Sequence, residues 1–269
     1  IRSDLVSQRR LGSYLRYAVG EILLVVIGIL IALQINNWNE ERIERRQARE
    51  FALAFADDHA ADLGMVGPVE DQIRVLIRQI TELAEYTRGK SLDQLDNAEL
   101  FNYTRSINYR PYAWSRATLE QTKSSGALRH ISNRALVEKI SAYDALSQHL
   151  DLDYVNDRDK TSAANQVVTQ VVNRNYANWQ QARDHASRIP DGDGFEAAYF
   201  GFRDTGIFAQ MKADDLPVLA RDVADVERMV SVLLDISNEM QPRVGIELPQ
   251  LRAMATEVIE MIETEHGDS

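Results

Sequence analysis

The feature that most constrains this chain is an apolar segment near its N-terminus, AVGEILLVVIGILIALQI at residues 18–35. Its centre, Ile22–Leu33, carries no polar side chain, whereas a helix on the surface of a soluble protein keeps a polar face. With its amphipathic ends the segment covers residues 17–38, and about 20 helical residues span the hydrocarbon core of a bilayer. The sequence therefore predicts one transmembrane helix over residues 17–38.

A cleaved secretory signal is the alternative interpretation of this segment. Four arginines precede the apolar run, as the basic region of a signal requires. However, the run is long for a signal core, and Gln34–Trp38 lacks the spaced small residues of a cleavage site. We therefore expect an uncleaved signal-anchor.

The orientation of the predicted anchor follows from weaker features. Four arginines lie on each side of it, so the positive-inside rule does not decide by counting. The tail of residues 1–16 is short and basic, and the chain has no cysteine, which suits an oxidising compartment. We expect the N-terminus in the cytoplasm and the main domain on the periplasmic side.

The charge of the remaining chain excludes one class of partner. Residues 40–269 carry 26 lysines and arginines against 39 aspartates and glutamates, a net charge of −13. Such an acidic body repels the phosphate backbone of nucleic acids. We therefore expect no nucleic-acid binding.

The spacing of apolar residues predicts an all-α fold. One N-terminal transmembrane helix continues into a long stalk helix, which Gly64, Gly67 and Pro68 are expected to end, and a helical bundle follows. Alternating strand patterns are essentially absent. The predicted organisation is a cytoplasmic tail (1–16), a transmembrane helix (17–38), a stalk (39–66) and an extramembrane domain (67–269) with a candidate internal boundary near 187–214.

Start and stop signals place the helices of the bundle. The turn at Gln241–Gly245 is short, which predicts that the helices on either side of it are antiparallel neighbours. The predicted helices cover residues 69–88 before Gly89, 97–108, 115–125 before Gly126, 133–186 with a break or kink near 151–159, 216–240 opening with Asp214, Asp215 and Pro217, and 248–265.

Two patches resemble a family. The first comprises LRYAVGEI at residues 15–22 and LVVIGILIALQINNWNE at 24–40, and the second is TLEQTKSSGALR at 118–129. Together they resemble a bacterial family of single-pass membrane proteins with no assigned function, whose second signature has the form LKSSG-LR. Thr122 stands where that family usually has an apolar residue. The resemblance implies membrane anchoring and a helical extramembrane domain, but no reaction. We expect the anchor to lie in the bacterial inner membrane.

Several residues of the anchor have expected roles. Gly28 and Ala32 form a small-xxx-small pair that permits close approach of two helices, and Gln34 follows with an amide that can hydrogen-bond between chains. This pattern predicts self-association through the anchor, although small residues are common in transmembrane helices in any case. The expected interfacial anchors are Arg16, Tyr17, Glu21 and Trp38, with an interhelical or proton-handling role as the alternative for Glu21.

Residues that can carry chemistry are few and scattered. They comprise His59 between Asp58 and Asp62, the single Glu263–His266 pair, the isolated His130, His149 and His185, the acidic turn Asp191–Glu196, and Lys123–Gly126. A di-iron bundle needs a second Glu-x-x-His pair, the acidic turn departs from the EF-hand pattern, and Lys123–Gly126 lacks the glycines of a P-loop. We interpret Gly126 as a left-handed helix cap. Tyr109, Tyr112 and Trp114 are expected in the core, with a binding groove as the alternative.

These observations lead to two hypotheses about function. The first is a non-enzymatic assembly or scaffold protein that is anchored in the membrane. It presents a helical domain to a second copy of the chain or to another membrane or periplasmic protein. The alternative is a periplasmic sensory or ligand-binding bundle that signals through a partner. We expect no catalytic, cofactor-binding or metal-binding residues and no cofactor.

Overall fold

The computed structural model describes residues 4–192 and 194–266, with the side chains of residues 18–185, 187–192 and 194–266. The predicted all-α fold is confirmed, since these residues form helices and contain no strand. The α-helices are α1 (Asp4–Thr87), α2 (Asn97–Thr104), α3 (Ala117–Ser125), α4 (Arg134–Val171), α5 (Trp179–Asp184), α6 (Phe195–Phe200), α7 (Gly206–Asp214), α8 (Val223–Pro242) and α9 (Leu248–His266).

The first helix is longer than the sequence predicts. α1 continues through Gly64, Gly67 and Pro68 to Thr87, so the expected helix end at these residues is wrong. Proline in a helix interior removes one hydrogen bond and costs about 3 kcal/mol. The residues around it, Val66 and Val69, are completely buried. Burial of this apolar face offsets the cost of the proline.

The chain divides into two compact units. The first unit contains the residues up to Ala52 together with Glu120–Ser132, and the second contains Leu53–Leu119 and Asn133–Ser269. In the first unit, Nδ1 of His130 lies 3.1 Å from a carboxylate oxygen of Glu44 on α1. Among the described side chains of this unit, the buried ones are Ala48, Ala52, Thr122, Ala127 and Ile131.

Long helices form the core of the second unit. α4 runs antiparallel to α8 and α9, because polar pairs that advance along α4 move backwards along the other two helices. These pairs are Asn133 with Glu265, Lys139 with Glu257, Lys160 with Glu239, and Gln170 with Arg228. The second half of α1 lies beside α9, where Arg252 contacts Glu70 at 2.7 Å. Ile73, Ile80 and Leu83 of α1 are completely buried in this core.

α4 differs from its prediction at two places. It has no break over residues 151–159, and it ends at Val171 rather than near Ala186. The end is fixed by Asn97, whose side chain accepts a hydrogen bond from the backbone N–H of Asn173 and donates one to the carbonyl of the same residue, both at 2.8 Å. These bonds hold the chain in an extended conformation after the helix.

The predicted turn between the last two helices is absent. α8 begins at Val223, where Asp222 caps it, and not at Leu216. A π-helical turn over Arg243–Glu247 then joins α8 to α9, so the two are successive parts of one helical run and not antiparallel neighbours. Pro249 lies in the first turn of α9 and cannot donate to a carbonyl four residues earlier, and the wider π turn before it accommodates the ring.

Two predicted glycine caps are confirmed. Gly89 and Gly126 both have φ of +71°, a left-handed conformation that strains residues with a Cβ. They follow the ends of α1 and α3.

Candidate functional site

The predicted anchor residues lie on the exposed part of α1. Among the described residues, the helix over Ala18–Thr87 is long and apolar enough to cross a membrane. No residue of its most apolar 18-residue window is buried. Gly28, Ala32, Gln34, Glu21 and Trp38 are all exposed. The side chains of Arg16 and Tyr17 lie outside the described residues. The packing and interfacial roles of this set stay predictions.

The His59–Asp62 cluster predicted as a candidate ligand set is a buried hydrogen-bonded group. Asp62 is 2% exposed, and its two carboxylate oxygens accept from the backbone N–H of Ser115 at 2.8 Å and from the hydroxyl of Tyr143 at 2.7 Å. Burial raises the pKa of Tyr143, and the hydrogen bond to Asp62 raises it further. Neutral donors thus satisfy this buried carboxylate.

His59 itself faces a small cavity. Its Nδ1 lies 2.7 Å from the carbonyl oxygen of Phe55, and its ring centroid lies 4.2 Å from that of Tyr143. Its Nε2 is buried and has no partner among the described residues. The cavity beside it holds about 20 Å³, the size of one water molecule. Burial lowers the pKa of His59 despite the neighbouring carbonyl and the carboxylates of Asp62 and Asp58, which favours the neutral ring.

A second polar cluster surrounds Arg243 at the π turn. Its guanidinium contacts Asp153 at 3.2 Å and Asp157 at 3.5 Å on α4, and Glu247 at 3.0 Å within the turn. The hydroxyl of Tyr109 donates to Asp157 at 2.7 Å. The π turn therefore places one buried cation among three carboxylates.

Burial and ion pairing shift the pKa values of this cluster in opposite directions. Burial raises the pKa of Asp157 and of Asp153, while Arg243 acts to lower both. Burial lowers the pKa of Arg243, but the three carboxylates together raise it above its usual value. His149, isolated in the sequence, lies 3.2 Å from Asp153. One side-chain atom from each of His149, Asp153 and Glu247 that could ligate a metal ion lies within 4.8 Å of the other two. Arg243 already forms ion pairs with both carboxylates.

The third candidate site is a cleft of about 730 Å³ that four arginines line. Arg105 directly follows α2, Arg158 lies on α4, and Arg183 lies on α5. Arg174 follows Asn173, whose backbone is bound to α2 through the side chain of Asn97. The same hydrogen bonds that end α4 therefore position Arg174 near the cleft. We call this site the arginine cleft.

No aspartate or glutamate lines the arginine cleft within the described part of the chain. Arg105 is 6% exposed, and it donates to the carbonyls of Asn102 at 2.6 Å and Tyr199 at 2.7 Å. Its Nε is buried without a partner. Burial lowers the pKa of Arg105, and burial together with the nearby Arg183 lowers that of Arg174. Arg105 and Arg174 are therefore poorly compensated.

The remaining sequence candidates have structural positions. Tyr109 and Tyr112 are buried, and the ring of Tyr112 stacks on that of Trp114 at 4.9 Å, which agrees with the predicted aromatic core. Glu263 and His266 lie in the last described turns of α9. Asp191 of the acidic turn lies 2.6 Å from Arg110, while Asp193 lies outside the described residues.

Sequence reasoning missed the arginine cleft because the net charge of the domain is strongly acidic. The residues that form the cleft come from separate parts of the chain, so no single motif marks it. A local signal did exist. Residues 174–188 contain three arginines and one aspartate, which is the reverse of the charge balance of the whole domain.

Comparisons with known proteins add one match. A family of unknown function (DUF6090) matches residues 21–143. This agrees with the expected similarity to a family without an assigned function, and the matched stretch contains His59, Asp62 and residues 118–129. No curated protein and no solved structure matches the chain.

Proposed function

We propose that this protein is a non-enzymatic assembly or scaffold protein of the bacterial inner membrane. Residues 17–38 cross the bilayer once, with the N-terminus in the cytoplasm and the main domain in the periplasm. The helical domain is presented to a second copy of the chain or to another membrane or periplasmic protein.

The observation that carries this proposal is the exposure of the apolar part of α1. Leu24 is 74% exposed and Leu30 is 58% exposed, although both belong to a segment without polar side chains at its centre. Contiguous apolar surface of this kind is unfavourable in water and marks contact with a membrane or a protein. Its length of about 20 residues favours a membrane.

The continuity of α1 supports a presenting role. The helix that contains the apolar segment also supplies buried residues to the core of the second unit, including Phe55 and Ile73. The carboxylates of Asp62, Asp153 and Asp157 are already engaged by donors from the chain itself. This use of polar groups supports a structural domain over an active site.

Cysteine accessibility tests the topology directly, because the natural chain contains no cysteine. Ser7→Cys in the tail and Glu227→Cys on the exposed face of α8 are expressed singly in cells. A thiol reagent that does not cross the inner membrane is expected to label Glu227→Cys but not Ser7→Cys in intact cells with a permeable outer membrane. Labelling of the reverse pattern, or release of the protein by alkaline extraction, would reject the proposed topology.

Two anchor variants test self-association. Gly28→Leu places a bulky side chain on the small-residue face and is expected to weaken association in an in-membrane reporter assay, while Ile27→Leu is expected to have little effect. Equal effects would assign any association to the helices outside the membrane. Crosslinking in native membranes then identifies attached proteins, and a strictly monomeric protein without any crosslinked partner would overturn the scaffold proposal.

The arginine cleft supports a second candidate function. A cleft of about 730 Å³ is within the size range of small-molecule sites, about 300–1,000 Å³, and it contains polar groups that converge from several helices. On this candidate, the domain is a periplasmic ligand-binding or sensory bundle that signals through a partner.

A further inference from the structure

We propose that the arginine cleft binds a small molecule that carries a phosphoryl group. The cleft combines four guanidinium groups, from Arg105, Arg158, Arg174 and Arg183, with the indole of Trp179. This assignment rests on the ligand-binding candidate function, and it names the chemical class of the ligand.

The first argument is the lack of internal compensation. Arg105 and Arg174 have no carboxylate within ion-pair distance in the described parts of the chain, and Arg174 donates only to the amide oxygen of Asn165, at 2.9 Å. Among the described residues, Arg158 and Arg183 each form one ion pair, with the aspartate that follows them, at 3.1 and 3.2 Å. Concentrating cations in one cleft is costly without an anion, and a bound anion removes this cost.

The second argument is rigidity. Arg105 is held by the carbonyls of Asn102 and Tyr199, and its guanidinium lies 4.1 Å from the ring centroid of Tyr199 and 4.5 Å from that of Phe202. Its position is therefore fixed before a ligand arrives, which reduces the entropy lost on binding. A buried Nε remains unused.

The third argument concerns the class of anion. Guanidinium forks match both carboxylates and phosphates, but one carboxylate offers two oxygens and one charge. A phosphoryl group offers three acceptor oxygens and about −1.5 to −2 charges at pH 7, which engages more of the four cations. The cleft is larger than an inorganic phosphate needs. Trp179, with the guanidinium of Arg183 at 5.0 Å from its ring centroid, provides an apolar surface for an organic part.

The test uses the full chain in nanodiscs of zwitterionic lipid and calorimetric titration at constant ionic strength. The probes are glycerol 3-phosphate, inorganic pyrophosphate and citrate, and a parallel titration uses nanodiscs with anionic phosphatidylglycerol. We expect both phosphate probes to bind more tightly than citrate. If the phosphoryl group belongs to a lipid headgroup instead, the phosphatidylglycerol nanodiscs will weaken the apparent binding of the soluble probes.

Matched variants locate the binding site. Arg174→Gln removes one poorly compensated cation and should weaken pyrophosphate binding by about tenfold or more. Arg134→Gln removes the same charge from the first turn of α4, where Arg134 pairs with Glu138 on the surface, and should change binding by no more than about twofold. Circular dichroism of both variants checks that the helices are retained.

The outcomes separate this inference from the function on which it rests. Tighter binding of citrate than of either phosphate probe, with the same dependence on Arg174, would overturn the phosphoryl assignment and leave a ligand-binding domain. Binding that both variants reduce equally would reflect net charge and overturn the cleft as the site. If no anion binds, both the assignment and the ligand-binding candidate fail.

Discussion

Arg243 and Arg105 are both buried arginines of the second unit, and their surroundings differ in one respect. Arg243 is 9% exposed and lies within 3.5 Å of Asp153, Asp157 and Glu247. Arg105 is 6% exposed and contacts carbonyl oxygens and aromatic faces, with no carboxylate in reach in the described residues. The first cation is compensated by the chain itself, whereas the second is not.

This difference separates a structural role from a binding role. A buried charge is tolerated when charged partners replace its hydration, and removal of one partner is then costly. A cluster in which cations outnumber carboxylates gains more from an external anion than from its own neighbours. We infer that the Arg243 cluster fixes the π turn against α4, and that the arginine cleft is the part of this domain available to a ligand.

The largest expected effect comes from the compensated arginine. Arg243→Met leaves three carboxylates close together without a cation, and loss of one partner of a buried ion pair costs about 3–5 kcal/mol. Urea unfolding of the full chain in detergent, followed by circular dichroism, measures this change. Arg252→Met is the control, because Arg252 is half exposed and Glu70 keeps Arg74 as a second partner, so the loss should be no more than about 1 kcal/mol. Similar losses in the two variants would contradict a structural role for the cluster.

The fold was predictable from sequence where the signal was local. Apolar spacing predicted the helical class, and Gly89 and Gly126 marked helix ends because a left-handed residue terminates a helix by itself. Pro68 and the Gln241–Gly245 segment led to wrongly predicted helix ends, because there the local signal did not decide. Their local preference for a turn is overridden by burial of Val66 and Val69 in one case and by a π turn in the other.

The sites depend on contacts between distant residues. The polar residues of α4 near Asp153 and Asp157 predicted a break or kink, because the apolar face of the helix becomes polar there. In the structure these carboxylates contact Arg243, about 90 residues later in the chain. The polar side of α4 is therefore packed against another helix and continues without a break. No spacing rule connects these residues. The arginine cleft was missed for the same reason.

A buried carboxylate held by neutral donors gives an intermediate case. Tyr143→Phe removes the hydroxyl that donates to Asp62, and a buried polar group without its partner costs about 1–3 kcal/mol. The loss of unfolding free energy should therefore be smaller than for Arg243→Met. Tyr154→Phe is the matched control, since among the described residues Tyr154 makes ring contacts with Tyr109 and Tyr112 but its hydroxyl makes no hydrogen bond. A change below about 0.5 kcal/mol for Tyr143→Phe would show that Asp62 does not need this donor.

The pH dependence of stability tests whether burial or pairing dominates at Arg243. Burial raises the pKa of Asp157 above its ordinary value of 3.8 despite Tyr109 and Arg243. A carboxyl with a raised folded-state pKa contributes stability that is present below about pH 3.8 and is lost as the pH rises through the folded pKa. The parent chain should therefore lose stability relative to Asp157→Asn as the pH rises above about 4, because the unfolded carboxyl ionises before the folded one does. A relative gain over this range would mean that Arg243 lowers the pKa instead.

The smallest expected effect, and the sharpest contrast with Arg243, is the stability of Arg174→Gln. Burial and the nearby Arg183 lower the pKa of Arg174, so its charge is less well stabilised in the folded protein than in water. Glutamine keeps a donor for Asn165 and removes the charge. The free energy of unfolding should therefore stay within about 0.5 kcal/mol of the parent or increase slightly, when it is measured without added phosphate.

With saturating pyrophosphate the parent should become more stable than the variant, because a ligand that binds only the folded state stabilises it. A large loss of stability without any ligand would show that Arg174 is a structural residue like Arg243, and the comparison between the two sites would fail.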